Sequence, residues 1–179
     1  MRTSSAADLW DELAAGAAAE SPLWAEALRP AGDQEQEPVF SPLGPPEHAL
    51  GVETIYEGYL VHYGRPRLFA PADDDTALLL GDYLYAHGLV RIAGSGDVAA
   101  VADLAELISL CAQLRAESAP GDGAAWAATA SLLGRDALHD ARAALSEHRD
   151  PALLERLARE NSGQEPVEHA LGAHALRLR

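Results

Sequence analysis

The chain contains no lysine: all thirteen of its basic side chains are arginine, set against twenty-eight Asp and Glu, for a formal net charge of −15 over 179 residues. Neutralising phosphates needs a basic face, so this balance argues against a general nucleic-acid binder and against adhesion to an anionic membrane surface. Cysteine occurs once, as Cys111, which excludes an internal disulfide framework and suits a reducing cytoplasm. Long apolar runs are missing too. The leucine-rich run Ala77–Leu80 falls far short of the roughly 18 residues that cross a bilayer. No basic stretch followed by an apolar core opens the chain, so no secretory signal and a cytoplasmic location are expected.

Branched and aromatic residues are scarce, whereas Ala and Leu together supply 64 positions. Ala costs no side-chain entropy in a helix and Leu little, while strands favour branched and aromatic side chains. The expectation is an all-α fold, a bundle of about seven to eight helices. Because Ala buries little area, close helix packing must supply much of the stability.

Four segments are expected. Residues 1–29 read as a helical hairpin, with Thr3, Ser4 and Ser5 as an N-cap before Leu9, Trp10 and Leu13, and Ser21-Pro22 starting the second helix. Residues 30–45, rich in proline and acid, read as a linker or loop; an ordered strap anchored by Val39, Phe40 and Leu43 is the alternative. Residues 46–160 form the bundle core. Residues 161–179 form a frayed or partner-docked tail.

Within the core, Pro46 and Glu47 begin a helix that Gly51 and Gly58 interrupt and Gly64 and Pro66 end near Tyr63. Ala72 and Asp73–Asp75 read as a loop and first helical turn, acids that suit the positive end of a helix dipole better than a metal site. The helix from Thr76 to Ala93 is the most apolar segment and is expected at the centre of the bundle. Asp97 caps the next, from Val98 to Glu117, where Cys111 lies on the apolar side as a small hydrophobe. Shorter helices follow over Ala124–Leu133, Asp136–His148 and Pro151–Glu160. Glu-His-Ala-Leu-Gly occurs at Glu47–Gly51 and again at Glu168–Gly172, a coincidence in so Ala- and Leu-rich a chain.

The seven histidines do not form a recognisable metal cage: no His-Glu-x-x-His occurs, and His169 and His174 are five apart, off the one-face spacing of a helix. No nucleophile elbow or phosphate loop is present either. One constellation could carry chemistry. Glu53 and Glu57 are four apart on one helix face, which could hold hydrated Mg²⁺ against phosphate oxygens. Arg65 and Arg67 follow, with forked donors suited to a diphosphate. The competing reading is a solvated acidic face followed by a basic turn, and composition favours it.

The order of residues carries a resemblance. Glu53-Thr-Ile-Tyr-Glu57, then His62-Tyr63-Gly64-Arg65-Pro66, then Leu78-Leu-Leu-Gly81-Asp82-Tyr83-Leu84-Tyr-Ala86 resembles the trans-polyprenyl diphosphate synthases, in which an aspartate-rich helix precedes Arg-Arg-Gly-x-Pro and a Gly-Asp helix. The likeness continues through Gly96-Asp97 and Leu104 to Gln113 and spans roughly Ala49 to Glu117. It implies an isoprenoid-synthase-like helical fold. The departures are informative. Thr54 replaces an acid, His62 and Tyr63 stand where the paired arginines fall, no second aspartate-rich motif follows, and the chain is about half the usual catalytic length. Ionising an allylic diphosphate requires several Mg²⁺ ions on two facing carboxylate clusters, so catalysis by this chain alone is not expected.

The resemblance therefore implies the small or regulatory subunit of a heteromeric polyprenyl diphosphate synthase, a prenyltransferase only as part of that assembly. It would pair with a catalytic subunit, or self-associate, and influence product chain length. Tyr83, Leu84 and His87 are the expected partner or tunnel surface. No cofactor is expected beyond Mg²⁺ accompanying a bound diphosphate. Two alternatives stay open: an α-helical adaptor unrelated to isoprenoids, and a residual Mg²⁺-dependent diphosphate binder using Glu53, Glu57, Arg65 and Arg67.

Overall fold

Helix caps set the frame that the sequence predicts. In the computed structural model, which describes residues 6–178, Ser21 caps a helix with Pro22 at its first position, Asp73 accepts the Thr76 N–H at 2.7 Å, and Asp97 accepts the Ala100 N–H at 2.9 Å. The N-cap expected at Thr3–Ser5 lies outside the described residues.

The described residues form nine α-helices and no strand: α1 (Ala6–Glu20), α2 (Pro22–Glu26), α3 (Ala49–Tyr63), α4 (Asp74–Ala93), α5 (Val98–Ala116), α6 (Asp122–Ser131), α7 (His139–His148), α8 (Ala152–Ser162) and α9 (Gln164–Ala175). Three single 3₁₀ turns precede α3. The fold is all-α.

The central helix is α3, not α4. Every residue of α3 from Gly51 to Val61 is buried. By contrast α4 buries only the stripe Leu80, Gly81, Leu84, Gly88 and Ile92, while Leu78, Leu79 and Val90 are 55 %, 56 % and 67 % exposed. Apolar content alone misleads here, because α4 packs on α3 along one side and leaves much of its leucine outside.

Glycine makes that contact close. A Cβ on Gly51 would stand 2.5 Å from Ile92 Cδ1, and one on Gly58 would stand 3.0 Å from the Gly81 carbonyl oxygen. Gly51 faces Gly88 and Gly58 faces Gly81, so the two helices run antiparallel. The glycines read as interruptions in the sequence are the seam of the helix pair.

The second buried helix is α6, closed from Ala124 to Ser131. Its alanines let α5, α8 and α9 approach it, and Trp126 fills the space beside α3. Cys111 is buried in this main core, and burial pushes its thiol pKa well up.

Two expectations about the flanks change. Residues 30–45 form a loop, and it is the ordered strap rather than a free linker: Val39, Phe40 and Leu43 are buried, and Phe40 stacks on Trp126 at 5.5 Å between ring centroids. Poor helix and strand propensity does not prevent burial when three apolar anchors and a buried acceptor hold a segment. Nor is the C-terminal segment frayed. Helix α9 buries Val167, Ala170 and His174, and the Arg65 N–H donates to the Arg177 carbonyl at 2.8 Å.

A smaller apolar cluster lies apart from the main core. Trp10, Leu13 and Ala17 of α1 join Trp24 and Ala27 against Val61, Leu68, Phe69, Leu80 and Leu84. It seats the N-terminal hairpin on α3, α4 and the segment that links them.

Candidate functional site: a buried carboxylate pair closed by Arg67

Glu53 and Glu57 do share one face of α3, one turn apart, but that face points inward and both side chains are fully buried. Each of their four oxygens already has a donor. Glu53 Oε1 accepts the N–H groups of Val39 and Ser41 at 3.1 and 2.9 Å, and Oε2 accepts Arg67 Nη1 at 2.5 Å. Glu57 Oε1 accepts the N–H groups of Arg67 and Leu68 at 2.8 and 2.7 Å, and Oε2 accepts Arg67 Nε at 2.9 Å.

Arg67 is the keystone. Its side chain is fully buried and donates as well to the Glu37 and Glu53 carbonyls at 3.1 and 3.3 Å. The guanidinium carbon lies 4.6 Å from the Trp10 ring centroid and 5.0 Å from that of Tyr56. Burial works against its charge, but the two carboxylates outweigh that and hold its pKa above the ordinary arginine value.

This geometry corrects the Mg²⁺ and diphosphate reading of the cluster. Hydrated Mg²⁺ needs carboxylate oxygens that reach water or phosphate, and Glu53 and Glu57 present none to solvent. The two arginines do not converge on a ligand either. Arg67 points into the core, while Arg65 is exposed and pairs with Glu35 at 3.2 Å. The competing expectation of a solvated acidic face also fails, since the face is dry. The cluster ties three segments together: α3, the strap at 37–41 and the turn at 67–68. Among the described residues no group of three His, Cys, Asp or Glu side chains could hold a metal.

The expected partner surface divides. Leu84 is buried against Gly58 of α3, which corrects its assignment to a contact surface. Tyr83 and His87 are half-buried and lie beneath the N-terminal hairpin, with Tyr83 stacked on Trp24 at 5.7 Å. The exposed apolar side chains of α4 are Leu78, Leu79, Ala86, Val90 and Ala93, and Val98 and Ala102 of α5 are exposed as well. His62 and Tyr63 form no anion clamp: His62 Nε2 sits 3.3 Å from Asp82. Burial lowers the His62 pKa even though Asp82 opposes the shift.

A second polar network escaped sequence reasoning. Tyr59 donates to Asp122, Arg115 donates to both, and His174 stands 3.5 Å from Asp122 while its Nδ1 meets the Tyr56 hydroxyl at 2.9 Å. It joins α3, α5, α6 and α9. Burial would raise the Asp122 pKa, but the close approach of His174, the Tyr59 hydrogen bond and the Arg115 charge hold it well below the usual carboxylate range. No spacing in the sequence links these residues. The only local hint is Tyr56 and Tyr59 at helical spacing beside the glutamates.

No family model matches the chain, and no curated protein or solved structure is significantly similar to it.

Proposed function

We propose that this chain is a non-catalytic helical subunit that acts by pairing with a catalytic polyprenyl diphosphate synthase subunit, stabilising it and influencing product chain length. One observation carries the non-catalytic half of this reading: protein donors occupy all four oxygens of Glu53 and Glu57. These are the residues that stand where the resemblance requires metal-binding acids. With them closed off, the useful part of the molecule is its surface. The same closure argues against an Mg²⁺-dependent diphosphate binder.

The choice of partner rests on the resemblance, supported by the side-by-side packing of the segments around Glu57 and Asp82. The outer side of α4 and α5 is the pairing face in this reading. It exposes Leu78, Leu79, Ala86, Val90, Val98 and Ala102 in a chain of net charge −15, and apolar exposure of this kind marks interaction sites. Self-association through the same face would bring two strongly acidic copies together, which electrostatics disfavours.

Purified chain mixed with a full-length trans-polyprenyl diphosphate synthase should co-elute in size-exclusion chromatography with light scattering and shift the product length distribution. Failure to associate would leave only the adaptor reading. Turnover of an allylic diphosphate by the chain alone would overturn the non-catalytic one.

A further inference from the structure

Tyr83, His87 and Arg91 follow one another at one-turn intervals on α4, on the side that faces the N-terminal hairpin. Tyr83 stacks between Trp24, at 5.7 Å, and His87, at 5.2 Å. Arg91 Nη1 donates to Glu12 of α1 at 2.8 Å. Gly16 lies over the row: a Cβ there would stand 3.0 Å from Arg91 Nη2 and 3.8 Å from His87 Nε2.

Helix α1 seals this row without satisfying it. Tyr83 Oη, His87 Nε2 and Arg91 Nε are all buried from water with no hydrogen-bond partner among the described residues. Native interiors rarely leave buried polar atoms unpaired, because each has lost water and gained nothing in return. Here three occur in one row under one helix. Directly above them α1 offers Gly16, which has no side chain to give. The carboxylates of Glu12 and Glu20 flank it one turn away on either side. Apart from the Arg91–Glu12 pair, what holds α1 is apolar: Trp10, Leu13 and Ala17 in the smaller cluster, separate from the main core.

We propose that the Tyr83–His87–Arg91 row is a docking strip for an amphipathic helix bearing carboxylates on successive turns, covered in the closed chain by α1 and uncovered when α1 is displaced. Such a helix supplies acceptors to the Tyr83 hydroxyl and Arg91 Nε, and to His87 Nε2 when that nitrogen carries the proton, and it replaces the carboxylate that Glu12 gives Arg91 in the closed chain. Leu79, four residues before Tyr83, and Val90, three after His87, border the strip on α4, but they are exposed and the strip is covered by α1, and a prenyl synthase partner is not required.

Two measurements on the full chain test it. In hydrogen exchange, α1 amides should exchange at least tenfold faster than those of α3. Tyr83→Phe with His87→Leu, which removes two unpaired polar atoms, should slow α1 exchange by about tenfold. In fluorescence anisotropy, a labelled peptide of residues 6–20 carrying Gly16→Asp should bind the full-length Gly16→Arg variant at least tenfold more tightly than the wild type, because the bulky cation unseats α1. The same peptide with Glu12→Gln and Glu20→Gln and without the new acid should bind at least tenfold more weakly. Should Gly16→Arg not fold, the hydrogen-exchange arm still decides. The proposal is overturned if α1 and α3 exchange together, if the Tyr83→Phe, His87→Leu chain exchanges faster at α1, or if acidic and neutral peptides bind equally.

Discussion

Gly88 of α4 lies against the backbone of Gly51 in α3, so close that a Cβ on Gly88 would stand 2.9 Å from the Gly51 carbonyl oxygen. Seven residues along each helix, Gly58 and Gly81 repeat the approach at 3.0 Å. An exposed helix interior would gain about 1 kcal/mol from Gly→Ala, but here the added atom meets backbone, and overpacking costs roughly 1–3 kcal/mol. Gly58→Ala and Gly88→Ala are therefore expected to destabilise, read as a lower urea midpoint. Gly172 of α9 has nothing within 4 Å of its Cβ position, so Gly172→Ala should stabilise by about 0.5–1 kcal/mol. A gain at Gly88 would mean the helix seam is looser than described.

Arg67 closes both buried carboxylates, and its removal leaves two uncompensated charges in a dry site. Arg67→Met is expected to cost about 3–5 kcal/mol and to loosen the strap, seen as faster hydrogen exchange at Val39 and Ser41. Arg65→Met at the exposed pair with Glu35 should change stability by no more than about 1 kcal/mol. Equal effects of the two substitutions would contradict the keystone role of Arg67.

Asp122 carries the acid dependence of the second network. Its folded pKa is depressed, so its contribution is complete above the unfolded aspartate value of about 3.9 and is lost as pH falls through the lower folded value. Between pH 4 and 2 the wild type should lose stability more steeply than Asp122→Asn. Parallel curves in that window would show that His174 and Tyr59 do not hold this carboxylate.

The outer side of α4 permits a separation of folding from pairing. Leu79→Arg and Val90→Arg alter exposed positions and should move stability by less than about 0.5 kcal/mol. Both should abolish co-elution with a synthase subunit. Retained association in well-folded variants would move the pairing surface elsewhere.

The uneven success of sequence reasoning has a physical pattern. Caps at Ser21, Asp73 and Asp97 were legible because each acts on a backbone N–H two or three residues away. The burial of Glu53 and Glu57 was half-legible: the face they share follows from spacing, and a helix otherwise uncharged from Gly51 to Val61 is a sign that they point inward. That Arg67 rather than water meets them depends on a turn ten residues beyond Glu57. Val39 and Phe40 were legible as possible anchors of a strap, but propensity describes local conformation and could not choose the strap over a linker, since their partners Glu53 and Trp126 are remote.

Helical class, the capped helix starts and the acidic, lysine-free composition were written in the order and kind of residues, since propensity, capping and charge act at short range or simply add. The choice of α3 over α4 as the buried axis, the dry closure of the carboxylate pair and the covering of Tyr83 and His87 arose from packing between distant segments. Those outcomes depend on which surfaces meet, and no local pattern encodes the partner across the interface.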